Sequence, residues 1–229
     1  MKFSLIIPCY NEEKNISYLI KKLKKFIINK SYEVILVDNG SSDNTYNNLV
    51  FETKNYDNFQ ILKIDINEGY GNGILKGLQI AKGDILAWTH ADLQTNPEDL
   101  IKGLKFFKTN KKDIFVKGNR KGRNYIDSFF TLGMSIIASA LLKKKLWDIN
   151  AQPTIFSSQF LKCWEKVPKD FSIDLYVYYL ALKKGLKIYR FPVLFDKRQF
   201  GKSKWNINFF SKIKFIIRTF KYILVLKNS

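Results

Sequence analysis

The sequence predicts an α/β fold, an open and mainly parallel sheet with helices on both faces. Two observations predict it. Through the first hundred residues, short apolar runs alternate with segments whose apolar residues recur at three-four spacing. Each apolar run then closes in a polar cluster rich in Gly, Asn, Asp or Ser, the composition of turns at strand ends. No internal repeat or low-complexity linker interrupts the chain, so one main domain is expected over residues 1–204, followed by a tail over 205–229.

In order, "FSLIIP" is a first strand closed by Pro8. "EEKNISYLIKKLKKFI" places apolar residues at 16, 19, 20, 23, 26 and 27, one face of a helix. "YEVILVDNGSSDNT" is a second strand, and its terminal Ser and Asp residues can cap the helix that follows. "FQILKIDIN" is a third strand and "GYGNGILKGLQIAKG" a glycine-opened helix that stops at Gly83. "DILAWTH" is a fourth strand, and "NPEDLIKGLKFF" a helix with Pro97 near its first turn. The second half is less regular. "IFVKGNR" reads as a strand, 128–142 as a helix, and "NAQPTIFSSQFL" as extended and then helical. "DLYVYYLALKKG" is a helix with a glycine stop, and "LKIYRFPVLFDKRQFGKSKW" a strand broken at Pro192 that leads into a basic loop. The tail from Trp205 to Leu226 gathers Phe209, Phe210, Ile213, Ile216, Ile217, Phe220, Ile223 and Leu224 on one face, with its lysines and arginine largely outside that stripe. Such a basic amphipathic helix either lies on an anionic membrane or packs back onto the domain.

The 229 residues suffice for a sizeable core, and 46% hydrophobic residues exclude a disordered chain. Lysine and arginine number 39 against 20 acidic residues, a net charge of +19 that draws polyanions such as anionic lipid or phosphorylated substrates. The lysines are dispersed except at strand ends and in the tail, so no nucleic-acid partner is expected. Cys9 and Cys163 form no CxxC pair, which argues against a zinc site or disulfide framework and for reduced cytoplasmic thiols. The first apolar run turns polar within ten residues, too soon for a secretory signal. The longest apolar stretch, 128–142, has 15 residues, short of a membrane span and suited to a buried or interfacial helix.

In open α/β sheets, ligands sit at the carboxyl ends of strands. The clusters "CYNEE", "DNGSSDNT", "NEGYGNG" and "HADLQ" all fall there, which points to a site. The glycines at 69, 71 and 73 do not complete GxGxxG, since Gly77 comes one place late, and no Walker sequence is present. They are better read as permitting a tight loop and close helix approach. His90 is the only histidine and no GxSxG elbow accompanies it, which disfavours serine hydrolase chemistry. His90, Asp92 and Gln94 alternate, so an extended segment would project them to one side. One imidazole, one carboxylate and one amide oxygen make a partial shell for Mg²⁺ or Mn²⁺, completed by diphosphate oxygens and water. "KGNRKGR" and "RQFGKSK" add Arg120, Arg123, Arg198, Lys202 and Lys204, cations suited to phosphate.

"SLIIPCYNEEKNI", "EVILVDNGSSDNT", "GYGNGILKGLQIAKGDIL", "ADLQTNPEDL" and "RQFGKSK", taken in that order, resemble family 2 glycosyltransferases of the GT-A fold, and among them the polyprenyl- and dolichyl-phosphate sugar transferases. The resemblance runs over roughly residues 3–205 and is strongest before 100. It implies a Rossmann-like GT-A domain and inverting transfer from a nucleotide-sugar donor to a lipid-phosphate or saccharide acceptor. Carried over by motif, Pro8, Tyr10 and Glu12 would line the nucleotide pocket, and Val37 and Asn39 would hold the base. His90, Ala91, Asp92 and Gln94 take the place of the DxD metal and sugar-diphosphate segment. Arg120 would touch the donor phosphates, and Arg198 and Lys204 would close over the diphosphate. Asp174 matches the acidic position that opens the corresponding helix in many members and would be the general base for a hydroxyl acceptor, with Asp148 the runner-up.

Three departures from the family pattern carry consequences. Asn39 stands where the family usually has the second Asp of VDDGS, so it can offer the base either an acceptor or a donor. His90 replaces the first Asp of DxD and removes one negative charge, which implies weaker metal affinity. The basic motif that usually serves a lipid-phosphate acceptor is absent, with Arg123 as its nearby substitute. The expectation is therefore a cytoplasmic enzyme, peripheral at the inner face of an anionic membrane. The competing expectations are a non-catalytic basic binding module and a degenerate, inactive transferase.

Overall fold

The computed structural model describes residues 2–228 except 25, 27, 109–112, 124, 199 and 201–208, and excludes the side chains of 209–213 and 215. Among the described residues, seven strands form one sheet. The first half supplies β1 (Phe3–Cys9), β2 (Tyr32–Asn39), β3 (Phe59–Ile64) and β4 (Ile85–Trp88). Three helices connect them: α1 (Ile16–Lys24), α2 (Thr45–Thr53) and α3 (Tyr70–Ile80). These strands pair in parallel, as alternating strand and helix signals require. β5 (Ile114–Lys121) and β7 (Lys187–Leu194) extend the sheet in parallel, whereas β6 (Thr154–Ser157) runs antiparallel between β4 and β5.

Side-chain alternation on β1 sorts the core into two layers. Phe3, Leu5, Ile7 and Cys9 pack with α1 on one face, while Ile6 joins Val37, Ile74 and Leu78 on the other. Gly77 makes that second layer possible, because a Cβ there would stand 2.5 Å from Ile6 Cγ2. α6 (Ile173–Lys183) buries Ile173, Leu175, Val177 and Ala181 in the same layer.

Several boundaries differ from the sequence reading. β1 and β7 run through Pro8 and Pro192 instead of ending or breaking there. β7 lies at the sheet edge, where a residue without an N–H is tolerated. The helix expected after Asn96 is divided into a 3₁₀ turn at Pro97–Asp99, a short α4 (Leu100–Leu104) and a second 3₁₀ turn. α2 starts after Asn44, whose side chain makes no capping bond, while Asp43 Oδ1, one residue further out, accepts from Thr45 N–H at 3.0 Å.

α5 (Tyr125–Leu142) begins three residues earlier than expected and is not a core helix. Only Ser135, Ala138 and Leu142 are buried on it, and it is long and apolar enough to cross a membrane by length and composition alone. α7 (Phe209–Lys227) packs back onto the domain through Thr219, Ile223 and Leu226. Ile217, Phe220, Leu224 and Val225 face outward, so the apolar stripe expected on one face is divided between core and surface. The expected boundary at 204/205 lies outside the described residues, as do Lys202, Lys204 and Trp205.

Candidate active site

The carboxyl ends of β1, β2 and β4 open into a cavity of about 480 Å³, closed on the far side by α5, α7 and the loop after β7. It gathers residues from all four polar clusters singled out in the sequence. Pro8, Tyr10 and Glu12 come from the end of β1, Asn39 from β2, and His90, Ala91, Asp92 and Gln94 from the segment after β4. Arg120, Asp174 and Arg198 also line it.

Val37 does not. Its side chain is fully buried and packs beneath Gly77, so a part for that side chain in holding a base is corrected to a core role. Strand alternation explains the difference, since Val37 and Asn39 share a side of β2 but only Asn39 stands at its open end. Asn39 is itself buried, and its Nδ2 donates to the Gly69 carbonyl at 2.9 Å. That bond fixes the amide, leaving Oδ1 as a buried acceptor with no partner on the cavity wall. Gly69 holds a φ of +119°, and a Cβ there would lie 2.5 Å from the Lys169 carbonyl, so the glycine loop serves close packing as expected.

The segment after β4 keeps its one-sidedness without being extended. His90, Asp92 and Gln94 are part-exposed while Ala91 and Leu93 are buried, yet Leu93 sits at φ +59° and bends the backbone. Asp92 Oδ1 accepts from Gln94 N–H at 3.1 Å across this bend. Gln94, expected to offer a metal its amide oxygen, also has a structural task that does not use that oxygen. Its Nε2 donates to the Asp196 carbonyl at 3.2 Å, and its own carbonyl accepts from Asp196 N–H at 2.8 Å. It clasps the β4 segment to the loop after β7. Burial holds the His90 imidazole below its ordinary pKa, against the pull of Asp92 and Asp174, and favours the neutral form with a lone pair to give. Among the described residues, no group of three His, Cys, Asp or Glu side chains is placed to hold a metal ion.

Arg120 lines the cavity with its guanidinium already paired. Its guanidinium pairs with Asp148, Nε donating to Oδ1 at 2.9 Å, while its backbone N–H donates to Oδ2 at 3.0 Å. Both side chains are nearly buried, and Arg190 lies 3.8 Å from the same carboxylate. Burial alone would raise the Asp148 pKa, but the arginines hold it below the usual carboxylate range. Asp148 is thus an internal counterion, which removes it as the alternative base. Arg123, stacked with Arg120 against Phe195, is less committed, with Nε buried and without a partner.

Arg198 reaches back over the cavity to pair with Glu12. Burial pushes the Glu12 carboxyl up to about 7, with Arg198 and Asn15 opposing the shift. Asp174 is buried at the start of α6, where Gln152 Nε2 donates to its Oδ1 at 2.8 Å and Lys117 Nζ lies 3.5 Å from the same oxygen. Its Oδ2 has no partner.

Tyr70, Phe171, Gln152 and Lys117 escaped the sequence reading. Tyr70 stacks on Phe171 at 4.7 Å and lies tilted on His90 at 5.3 Å, building an aromatic wall from three separate segments. No local motif marks such a wall. Lys117 did leave a signal, a lysine within the apolar strand "IFVKG".

Fold and site together define an α/β protein with a nucleotide-sized cavity at the strand carboxyl ends. Residues 4–167 match the model described as "Glycosyl transferase family 2", and the chain belongs to that family. It is 35% identical over 147 residues to the undecaprenyl-phosphate 4-deoxy-4-formamido-L-arabinose transferase of Proteus mirabilis (strain HI4320), covering 62% of this chain and 44% of that protein. To the protein of the same name from Photorhabdus laumondii subsp. laumondii it is 29% identical over 217 residues, covering 90% and 63%. The chain therefore spans less than two thirds of these relatives' length. Among solved structures, glucosyl-3-phosphoglycerate synthase from Mycobacterium tuberculosis in complex with Mn²⁺ and UDP-glucose superposes with a TM-score of 0.77 at 16% identity, covering 99% of this chain and 78% of that one. The similarity confirms the GT-A build.

Proposed function

We propose that the chain is an inverting glycosyltransferase that moves a sugar from a uridine diphosphate donor to a polyprenyl phosphate at a membrane surface. One observation carries the reading. A single cavity is lined by Asn39, whose Oδ1 is a buried acceptor, by His90 and Asp92 as donors for a metal-diphosphate, by the cation of Arg198, and by Asp174, whose buried Oδ2 has no partner. The acceptor oxygen bonds to the anomeric carbon as the carbon–diphosphate bond breaks, and the nucleoside diphosphate leaves with the electron pair. A polyprenyl phosphate attacks through an oxygen that is already anionic; where its phosphate binds as the monoanion, the remaining proton passes to Asp174 Oδ2.

Asn39 Oδ1 can accept from the ring N–H of uracil, which supports uridine as the base. His90 and Asp92 supply two donors to a divalent ion, a set that fits an ion carried in by the diphosphate and water. Bound there, Mg²⁺ or Mn²⁺ would neutralise charge on the departing diphosphate. The names of the Proteus and Photorhabdus relatives support undecaprenyl phosphate as acceptor. So does the surface. Tyr125, Ile126, Phe129 and Ile136 of α5 lie outward, and Lys143, Lys144 and Lys145 follow exposed at its end. Apolar side chains rimmed by cations suit an anionic lipid surface. Phe130, Thr131 and Met134 of the same helix line the cavity, with Arg123 just before it, so the helix that would meet lipid also walls the site.

The test is nucleotide release from a panel of UDP-, GDP- and CDP-sugars, with Mn²⁺ or EDTA, and with undecaprenyl phosphate, a free saccharide or no acceptor. UDP release that requires the lipid phosphate and falls in EDTA is expected. No turnover together with no thermal shift by any nucleotide would overturn the enzyme reading.

A further inference from the structure

We propose that Lys117 is a positioning residue for this reaction: it holds Oδ1 of Asp174, so that Oδ2 is the oxygen left to meet the substrate, and balances the carboxylate's charge inside the protein. The inference rests on the reading of Asp174 as the group that meets the acceptor.

Lys117 stands on β5 opposite Thr154 of β6 and is fully buried. Phe115, two residues earlier on the same side of the strand, is the apolar occupant such a position ordinarily takes. A buried ammonium costs several kcal/mol of desolvation unless it is well paired. Here Nζ donates to Thr154 Oγ1 at 2.7 Å and lies 3.5 Å from Asp174 Oδ1, over the ring of Tyr178. Arg190 and Asp148 add a second, opposed pair of charges nearby. Gln152 donates to the same Asp174 oxygen from the other side. Gly118 allows that approach, because a Cβ there would stand 2.1 Å from the Gln152 carbonyl oxygen. Both groups thus converge on Oδ1, and Oδ2 alone is left without a partner on a residue that lines the cavity. Burial lowers the Lys117 pKa to about 8, with Asp174 opposing, which leaves the ammonium form in place at neutral pH.

The experiment measures kcat and donor KM for UDP release to undecaprenyl phosphate, with the UDP-sugar selected by the panel above, and UDP affinity by calorimetry. Lys117→Met is expected to lower kcat about 100-fold while donor KM and UDP affinity change less than about threefold, since the carboxylate and not the nucleotide site is disturbed. Asp174→Asn and the double variant K117M/D174N are expected to share one kcat, because Lys117 acts only through Asp174. A Lys117→Met enzyme with wild-type kcat, or a double variant about tenfold slower than Asp174→Asn, overturns the assignment. Should Lys117→Met alone fail to fold, the double variant, which buries neither charge, still decides it. Full turnover in Asp174→Asn overturns instead the reading of Asp174 beneath it.

Discussion

Asn39 concentrates the donor question in one amide. Gly69 takes its N–H, and the remaining oxygen is the polar atom that a base seated as proposed would have to satisfy. Replacing Asn39 by Ala is expected to weaken UDP binding about tenfold, the worth of one buried hydrogen bond, as measured by calorimetry. Unchanged affinity would place the base elsewhere. The sequence motif identified Asn39 but left open which end of its amide faces the ligand. That choice belongs to a carbonyl thirty residues away, which no local pattern reports. Val37 and Gln94 show the converse. The motif carried both into the site; packing gave the first to the core, and added to the second, which still lines the cavity, a clasp on Asp196. Arg120 shows a third limit, since its counterion Asp148 lies on a distant stretch of chain.

At the scale of elements, most of the sheet could be read from apolar runs and their polar ends, because parallel strands are buried on both faces. The antiparallel β6 and the passage of β7 through Pro192 were less legible. Both depend on who pairs with whom, and Pro192 is tolerated by virtue of an edge position assigned only by the finished sheet. The glycine of "KGNR" has an element-level role that can be tested. Gly118→Ala would drive a methyl into the Gln152 carbonyl, so a loss of about 1–3 kcal/mol in denaturant unfolding is expected. Turnover should fall with it, because Gln152 holds Asp174. A variant as stable and active as the wild type would mean that β5 and Gln152 are not so closely apposed.

Over the whole molecule, charge and apolar exposure combine. The chain carries +19, and α5 turns large apolar side chains outward beside three exposed lysines. Wild-type protein is expected to float with vesicles containing anionic phospholipid, less so as salt rises. The variant Ile126→Glu/Phe129→Glu, altered only at outward positions, should lose most of that binding while melting normally. Equal flotation of the two proteins would contradict a lipid-facing α5. Removing α7 is a poorer test, because Ile223 and Leu226 belong to the core. One cavity is expected to seat a nucleotide diphosphate between Asn39 and the His90–Asp92 segment, and a crystal structure grown with UDP and Mn²⁺ decides whether it does. The uracil edge should meet Asn39 Oδ1, with the diphosphate and metal beside Asp92. Nucleotide bound outside this cavity, or the cavity empty at saturating UDP, would contradict the account.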